Sequence, residues 1–209
     1  MKSALALLFA VLFAAPAWSG ELDVTLRTTG GQPVSEAVVT VYPASGLPDG
    51  PIRFDWPYRM AQKNIQFSPF VLIVPVGASV PFPNMDPVRH HVYSFSPAHK
   101  FELKLYGKDD KEVVKFDKPG AVALGCNIHD QMVGFIKVVD TPFANKSEAS
   151  GEVHLRGLPA GKATVRIWHP YLKAPGNEIV RTVVVLPQGV TRDAASLDVR
   201  PPPMRHAKY

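Results

Sequence analysis

Hydrophobic and polar residues alternate in short runs along most of the chain, the pattern expected of half-buried β-strands. It appears first in ELDVTLRTTGGQPVSEAVVTVYP, where Leu22, Val24 and Leu26 are separated by single polar residues. Gly30-Gly31 interrupts this run, and a second run of strand-forming residues covers 38–42. The pattern predicts two strands joined as a hairpin.

Later segments repeat the signal at strand length. They are FVLIVPVGASVPFPN, HHVYSFS, FELKLYG, EVVKFDKPGAVALGC, MVGFIKVVDTP, VHLRGLPAGKATVRIWHP and EIVRTVVVLPQG. Residues 45–59 are rich in proline and glycine and predict a long loop. No amphipathic pattern is long enough for a helix of more than two turns, and 21 prolines and 15 glycines are spread through the chain. The sequence therefore predicts an all-β fold.

The first residues of the 209-residue chain have a different character. Lys2 precedes an apolar run over residues 4–15, and small residues follow at Ala17 and Ser19. This arrangement predicts a cleavable signal peptide over residues 1–19, because the apolar run is too short to span a bilayer. We expect a periplasmic or secreted protein without stable membrane insertion, and a flexible tail over 201–209.

Composition narrows the possible functions. Apolar residues make up 46% of the chain and charged residues 20%, which is typical of a globular protein. The net charge of +5 comes without a long Lys/Arg run, so we expect no nucleic-acid partner. No phosphate-binding loop, HExxH or nucleophile-elbow motif is present, so we expect no enzyme and no catalytic residues.

The stretch GCNIHDQM carries the clearest chemistry. It holds the only cysteine of the chain, Cys126, followed by His129 and Met132. Thiolate, imidazole and thioether groups suit copper or zinc, and the methionine favours copper. A blue-copper site also needs a second histidine, which HHVYSFS offers as His90 or His91. Strand alternation lets only one of the two face the loop, unless both bind the metal.

Residues 65–139 resemble the cupredoxins, the blue-copper family that includes plastocyanin, pseudoazurin and amicyanin. In PFPNMDPVRHHVYSF an asparagine lies six residues before His90, as in the family, and FDKPGAVALGCNIHDQMVGFIKVV resembles the last two cupredoxin strands. The resemblance implies a Greek-key β-sandwich and one copper per chain, with His90, Cys126, His129 and Met132 as ligands. It also implies neighbouring or alternative ligands at Asn84, His91 and Asn127, although the family usually has asparagine where His91 stands.

A wider resemblance covers most of the chain. RMAQKNIQFSP, LGCNIHDQM, DTPF and LPAGKATVRIWHP together are similar to exported bacterial proteins labelled methylamine utilization proteins. GQPVSEAVVTVYP and SGEVHLRGLPAGKATVRIWHP resemble a transthyretin-like or carboxypeptidase-regulatory-like β-sandwich of the immunoglobulin kind. This implies a second, smaller sandwich split over 20–45 and 146–200, with the cupredoxin domain, 60–140, inserted. Two alternatives are an N-terminal hairpin that completes the cupredoxin sheet, and one large sandwich without a boundary.

The cupredoxin resemblance also implies a function. We expect an exported type-1 copper protein that transfers single electrons with a redox partner protein, for example a c-type cytochrome or a periplasmic dehydrogenase. The alternative is a protein that binds or delivers copper, or binds a partner through its sandwich, without acting as a redox carrier.

Overall fold

The alternating runs form sixteen β-strands and one short 3-10 helix, Pro175–Asn177, in the computed structural model, which describes residues 20–201. The predicted signal peptide, 1–19, and residues 202–209 of the predicted tail lie outside the described residues. The strands are β1 (Gly20–Thr28), β2 (Val38–Pro43), β3 (Ala61–Gln62), β4 (Phe67–Ser68), β5 (Val71–Pro75), β6 (Ala78–Pro81), β7 (His90–Ser96), β8 (His99–Tyr106), β9 (Val113–Phe116), β10 (Gly120–Cys126), β11 (Val133–Val139), β12 (Ala144–Lys146), β13 (Glu152–Leu158), β14 (Gly161–Trp168), β15 (Glu178–Val185) and β16 (Val190–Leu197). The prediction of an all-β fold is confirmed.

One pair of sheets combines strands from both ends of the described chain. A three-stranded sheet has the order β13-β1-β16, and a four-stranded sheet has the order β12-β2-β14-β15. Leu22, Val24 and Leu26 of β1 are buried against side chains of the second sheet such as Val41 and Val165. The two sheets thus enclose one hydrophobic core, as expected of a β-sandwich.

The predicted hairpin between residues 22 and 42 is wrong. A local turn does form at Gly30-Gly31, where the Thr28 carbonyl accepts a hydrogen bond from Gly31 and Arg27 bridges Pro33. However, β1 pairs with β13 and β16, whereas β2 lies in the other sheet beside β12 and β14. The chain crosses between the sheets because each strand can bury its apolar face only against the opposite layer.

The central part of the chain builds a second core. A five-stranded sheet with the order β5-β11-β10-β7-β8 packs against the β6-β9 pair. Val80 and Phe116 from the small pair meet Val92 and Leu124 from the large sheet in one buried cluster. Cys126 and Met132 belong to the same cluster, which places the predicted ligand loop at one end of this sandwich.

A third buried cluster joins the two sandwiches. Val71, Ile73 and Phe135 on the outer face of the five-stranded sheet pack with Val38 and Trp168 of the four-stranded sheet. The Phe135 and Trp168 rings meet edge to face with centroids 6.0 Å apart. The sandwich formed by the sheets β13-β1-β16 and β12-β2-β14-β15, called the flanking sandwich below, therefore covers part of the outer face of the large sheet at β5 and β11. Within residues 20–201, no helix is long and apolar enough to cross a membrane.

Candidate metal centre

Two neighbouring strands carry the first two predicted ligands. His90 begins β7 and Cys126 ends β10, and these strands pair antiparallel, with Cys126 opposite Val92. Alternation along β7 buries His90 and Val92 on the inner face. His90 and Cys126 therefore point into the same end of the core.

The third predicted ligand lies in the turn after β10. The Asn127 amide donates a hydrogen bond to the His91 carbonyl, which fixes the start of this turn on β7. The Met132 amide donates to the His129 carbonyl at 2.9 Å, which folds the loop back before β11 begins. His129 is consequently brought over the ends of both strands, and its side chain is half-buried.

Three donor atoms converge at this point. The Cys126 Sγ atom lies 3.8 Å from His90 Nδ1 and 3.5 Å from His129 Nδ1, and all three donor atoms lie within 4.8 Å of one another. Donors bound to a single ion at about 2.0–2.3 Å lie roughly 3.5–4 Å apart in trigonal or tetrahedral arrangements. The observed spacing therefore fits one metal ion bound by all three residues.

The electrostatic environment favours the form of Cys126 that binds metals. Burial raises the pKa of the Cys126 thiol. Hydrogen bonds from the His90 side chain and from the backbone of His91 and Ile128 outweigh the effect of burial and lower this pKa to about 6. At neutral pH the side chain is accordingly a thiolate, which is the metal-binding species. A buried thiolate between two imidazoles matches the preferences of copper.

A buried carboxylate holds His90 from behind. Asp86 Oδ2 lies 2.9 Å from His90 Nε2, and both side chains are buried. The same carboxylate accepts hydrogen bonds from the backbone amides of Asn64 and Ile65. With Nε2 engaged by Asp86, Nδ1 is the His90 ring atom that faces Cys126 and is left to bind a metal ion.

The pKa values of this pair support that assignment. Burial raises the pKa of Asp86, but hydrogen bonds from the Ile65 amide and the His90 ring outweigh it and hold the pKa below its usual value. Burial lowers the pKa of His90, but contact with Cys126 and Asp86 outweighs it and raises the pKa. Asp86 is therefore an anion that keeps a proton on His90 Nε2. Sequence reasoning missed this residue, although a carboxylate four positions before a candidate ligand in NMDPVRH was a readable signal.

Asn84 braces the loop that leads to His90. Its amide group donates to the carbonyls of Val88 and Tyr106, and its Oδ1 accepts a hydrogen bond from the Asp86 amide. Through these hydrogen bonds Asn84 positions Asp86 and the chain that leads to His90.

The remaining predicted site residues lie around this group. His91 points to the opposite face of β7, where its Nε2 is 2.7 Å from Glu102 Oε1 on β8. Asn127 is exposed and contacts His91 through its backbone. Met132 is buried in the core cluster that contains Cys126. The structure thus brings together His90, Cys126 and His129 and directs His91 elsewhere.

The sequence matches no family model and no curated protein. The structure is similar to a purple cupredoxin from Nitrosopumilus maritimus, with 24% identity and a TM-score of 0.36, over 40% of this chain and 100% of that chain. It is similar to a copper-containing nitrite reductase from Thermus scotoductus SA-01, with 23% identity and a TM-score of 0.38, over 56% of this chain and 28% of that chain. It is also similar to an amicyanin variant in its reduced Cu(I) form, with 21% identity and a TM-score of 0.36, over 50% of this chain and 99% of that chain. The solved structures that are similar to the chain thus include cupredoxins, but these low identities and TM-scores assign it no function.

Proposed function

We propose that this protein binds one copper ion through His90, Cys126 and His129, with Met132 as a weak fourth ligand, and that it transfers single electrons. The observation that carries the proposal is the convergence of one thiolate and two imidazole nitrogens within 4.8 Å at one end of a β-sandwich. When bound there, copper would supply one-electron chemistry by cycling between its cuprous and cupric states.

The chain contributes a dry and rigid frame for this site. His90 has no exposed surface and Cys126 is 4% exposed, so water is kept from two of the three donors. The donors stand at the ends of two hydrogen-bonded strands, and Asp86 and Asn84 hold the preceding loop. A frame that keeps one ligand arrangement in both oxidation states lowers the reorganisation that electron transfer requires.

His129 provides the route to the surface. Its ring is half-buried, and its centroid lies 5.0 Å from that of His90. Exposed apolar side chains lie in the two loops that carry the site. Ile128 lies beside His129 in the turn after β10, and Met85 and Val88 lie between β6 and β7 in the loop that Asn84 and Asp86 hold. An apolar surface around a ligand histidine suits brief docking of a redox partner protein, for which we favour a c-type cytochrome or a periplasmic dehydrogenase.

The proposed function also includes export of the protein from the cytoplasm. The pattern of residues 1–19 favours a signal peptide, so we propose that the mature protein works in the periplasm or outside the cell. The mass of the intact mature protein tests this point, and a mature chain that retains Met1 would refute it. The likeness to proteins labelled methylamine utilization proteins stays a resemblance, and no residue of the chain indicates methylamine chemistry.

Copper titration of the purified mature protein tests the metal site. We expect one Cu(II) per chain, an intense visible thiolate-to-copper absorption, and loss of that absorption in Cys126→Ser. His154→Asn is a matched control, because His154 is an exposed histidine paired with Asp23 on the flanking sandwich. An unchanged spectrum in Cys126→Ser would show that the thiolate is not a ligand.

The behaviour of bound copper separates a carrier from a delivery protein. We expect reversible one-electron cycling in voltammetry while the metal stays bound in the presence of a chelator. Rapid transfer of copper to the chelator, without reversible cycling, would instead favour copper delivery.

A further inference from the structure

A second candidate binding site lies between the two sandwiches. A cleft of about 370 Å³ opens between the loop that carries Trp56 and Arg59, the edge strand β5 and the short strand β12. None of the copper-site residues lines it. Its volume falls at the lower end of the range of small-molecule sites, which is about 300–1,000 Å³.

The floor of the cleft is apolar and fixed. Val71, Leu72 and Ile73 of β5 line it and are almost fully buried. The Trp56 indole N–H donates a hydrogen bond to the Ile73 carbonyl at 2.9 Å, and the Phe54 ring stacks on the indole at 4.6 Å. The aromatic wall is therefore held in place by contacts within the protein, as expected of a site formed before its ligand arrives.

The rim carries a cation that has no ion-pair partner in the described part of the chain. Lys146 lines the cleft, but its ammonium is paired with Glu36 at 2.7 Å and also donates to the Val71 carbonyl. Arg59 is exposed and makes no ion pair with another residue in the range 20–201. Its guanidinium is thus the group at this cleft that is available to a ligand, and guanidinium groups match carboxylates in shape and charge.

We propose that this cleft binds a small aromatic carboxylate, with its ring against Trp56 and the prolines Pro57 and Pro69 and its carboxylate on Arg59. The indole and the two proline rings recognise the ring of the ligand, and the Arg59 guanidinium recognises the anion. This inference does not depend on copper binding, because the cleft and the metal centre share no residues.

Calorimetric titration of the mature protein with 2-naphthoate tests the proposal, with 2-naphthalenemethanol as the uncharged analogue. We expect saturable binding of 2-naphthoate at one site per chain and clearly weaker binding of the alcohol. Arg59→Gln should weaken 2-naphthoate binding roughly 10-fold to 100-fold, the usual effect of losing a charge-assisted hydrogen bond. Arg53→Gln is the matched control, because Arg53 is an exposed arginine of the same loop that does not line the cleft.

A second variant tests the location. Ser68 lines the cleft and is exposed, so Ser68→Leu should reduce the space for the ring and weaken binding of both compounds without removing a charge. Contacts between naphthoate protons and the Trp56 indole should appear in nuclear Overhauser spectra. Equal affinities in Arg59→Gln and Arg53→Gln would overturn the proposal, as would absence of saturable binding in the folded wild-type protein.

Discussion

The two adjacent histidines have different environments although they share one strand. His90 is fully buried between Cys126 and Asp86, whereas His91 lies on the opposite face of β7 beside Glu102. The two-residue period of a β-strand produces this separation. It means that substitution of His90 should disrupt the proposed metal centre, whereas substitution of His91 should leave it intact.

Replacing each histidine tests that separation. If the proposed copper site is right, His90→Gly should remove one ligand and abolish the thiolate-to-copper absorption, and added imidazole should restore it by filling the opened position. His91→Asn should keep the spectrum, because it removes a contact with Glu102 and leaves the three converging metal-binding atoms in place. Visible and electron paramagnetic resonance spectra measure both effects. Bleaching by both substitutions would mean that both histidines bind the metal.

Asp86 is the second residue whose position matters. Its carboxylate places negative charge next to His90 and holds the ring by a hydrogen bond. Asp86→Asn should therefore weaken copper affinity roughly 10-fold to 100-fold, as loss of an outer hydrogen-bond partner of a metal ligand usually does. It should also raise the reduction potential, because the more highly charged cupric site loses a stabilising anion.

Competition titration and voltammetry measure the two effects of Asp86→Asn. Asp117→Asn is a suitable control, because Asp117 is exposed and paired with Lys115 after β9. Equal affinity and potential in both variants would show that Asp86 has no influence on the site.

At the scale of the strands, two glycines at the β13 end of the flanking sandwich have positive φ but different surroundings. Gly151, just before β13, has φ of 82°, and a Cβ atom there would lie 2.3 Å from the Leu26 carbonyl oxygen of β1. Gly157 within β13 also has positive φ, 70°, but a Cβ atom there would meet nothing within 4 Å. The pair separates the cost of an unfavourable backbone angle from the cost of a clash.

Alanine substitutions at these two glycines measure the two costs. Gly157→Ala should lower the free energy of unfolding by about 1–2 kcal/mol, the cost of a left-handed conformation. Gly151→Ala should lower it by roughly 1–3 kcal/mol more, because the β1 backbone must move to admit the methyl group. Urea unfolding of both variants gives the comparison. Equal destabilisation would show that β1 and the turn before β13 adjust without cost.

At the scale of the whole molecule, the interface between the sandwiches is both apolar and polar. Trp168 packs on Phe135, and the Glu36 carboxylate accepts hydrogen bonds from the Val71 amide and the Lys146 ammonium. These contacts join strands that are far apart in the sequence. The flanking sandwich thereby covers apolar side chains of β5 and β11 that would otherwise be exposed, which favours unfolding of the two sandwiches as one unit.

The pH dependence of global stability should depend on His169, which is buried directly after Trp168. Burial lowers the pKa of His169 to about 4 from an ordinary 6.5. The unfolded chain therefore binds a proton at higher pH than the folded chain does. Stability is retained above about pH 6.5 and is lost as the pH falls towards 4, by at most about 3 kcal/mol.

Substitution of His169 isolates its contribution from that of other titrating groups. His169→Asn can keep an acceptor for the Tyr171 amide, which now donates to His169 Nδ1. The difference in unfolding free energy between wild type and variant should shrink or reverse in favour of the variant between pH 6.5 and 4. A difference that stays constant over this range would show that His169 titrates normally in the folded protein.

The sequence by itself determined the strand content and the residue types of the converging donors. Alternation along each strand is local information, so the runs from 22 to 26 and from 90 to 96 could be assigned without tertiary structure. The spacing of Cys126 and His129 confines both to one turn, and strand period leaves one of two histidines to meet them. The chemistry of the site was readable because Cys126 and His129 lie three positions apart, whereas the choice of His90 needed the pairing of two distant strands.

Only the tertiary structure decided how the strands are paired and what surrounds the donors. β1 pairs with strands more than 120 residues away rather than with β2, because burial of its apolar face depends on the opposite layer and not on the nearest turn. The contact of Asp86 with His90, and the cleft beside Arg59, arise where loops from separate segments meet. Such contacts depend on the packing of whole sheets, which no local pattern of residues specifies.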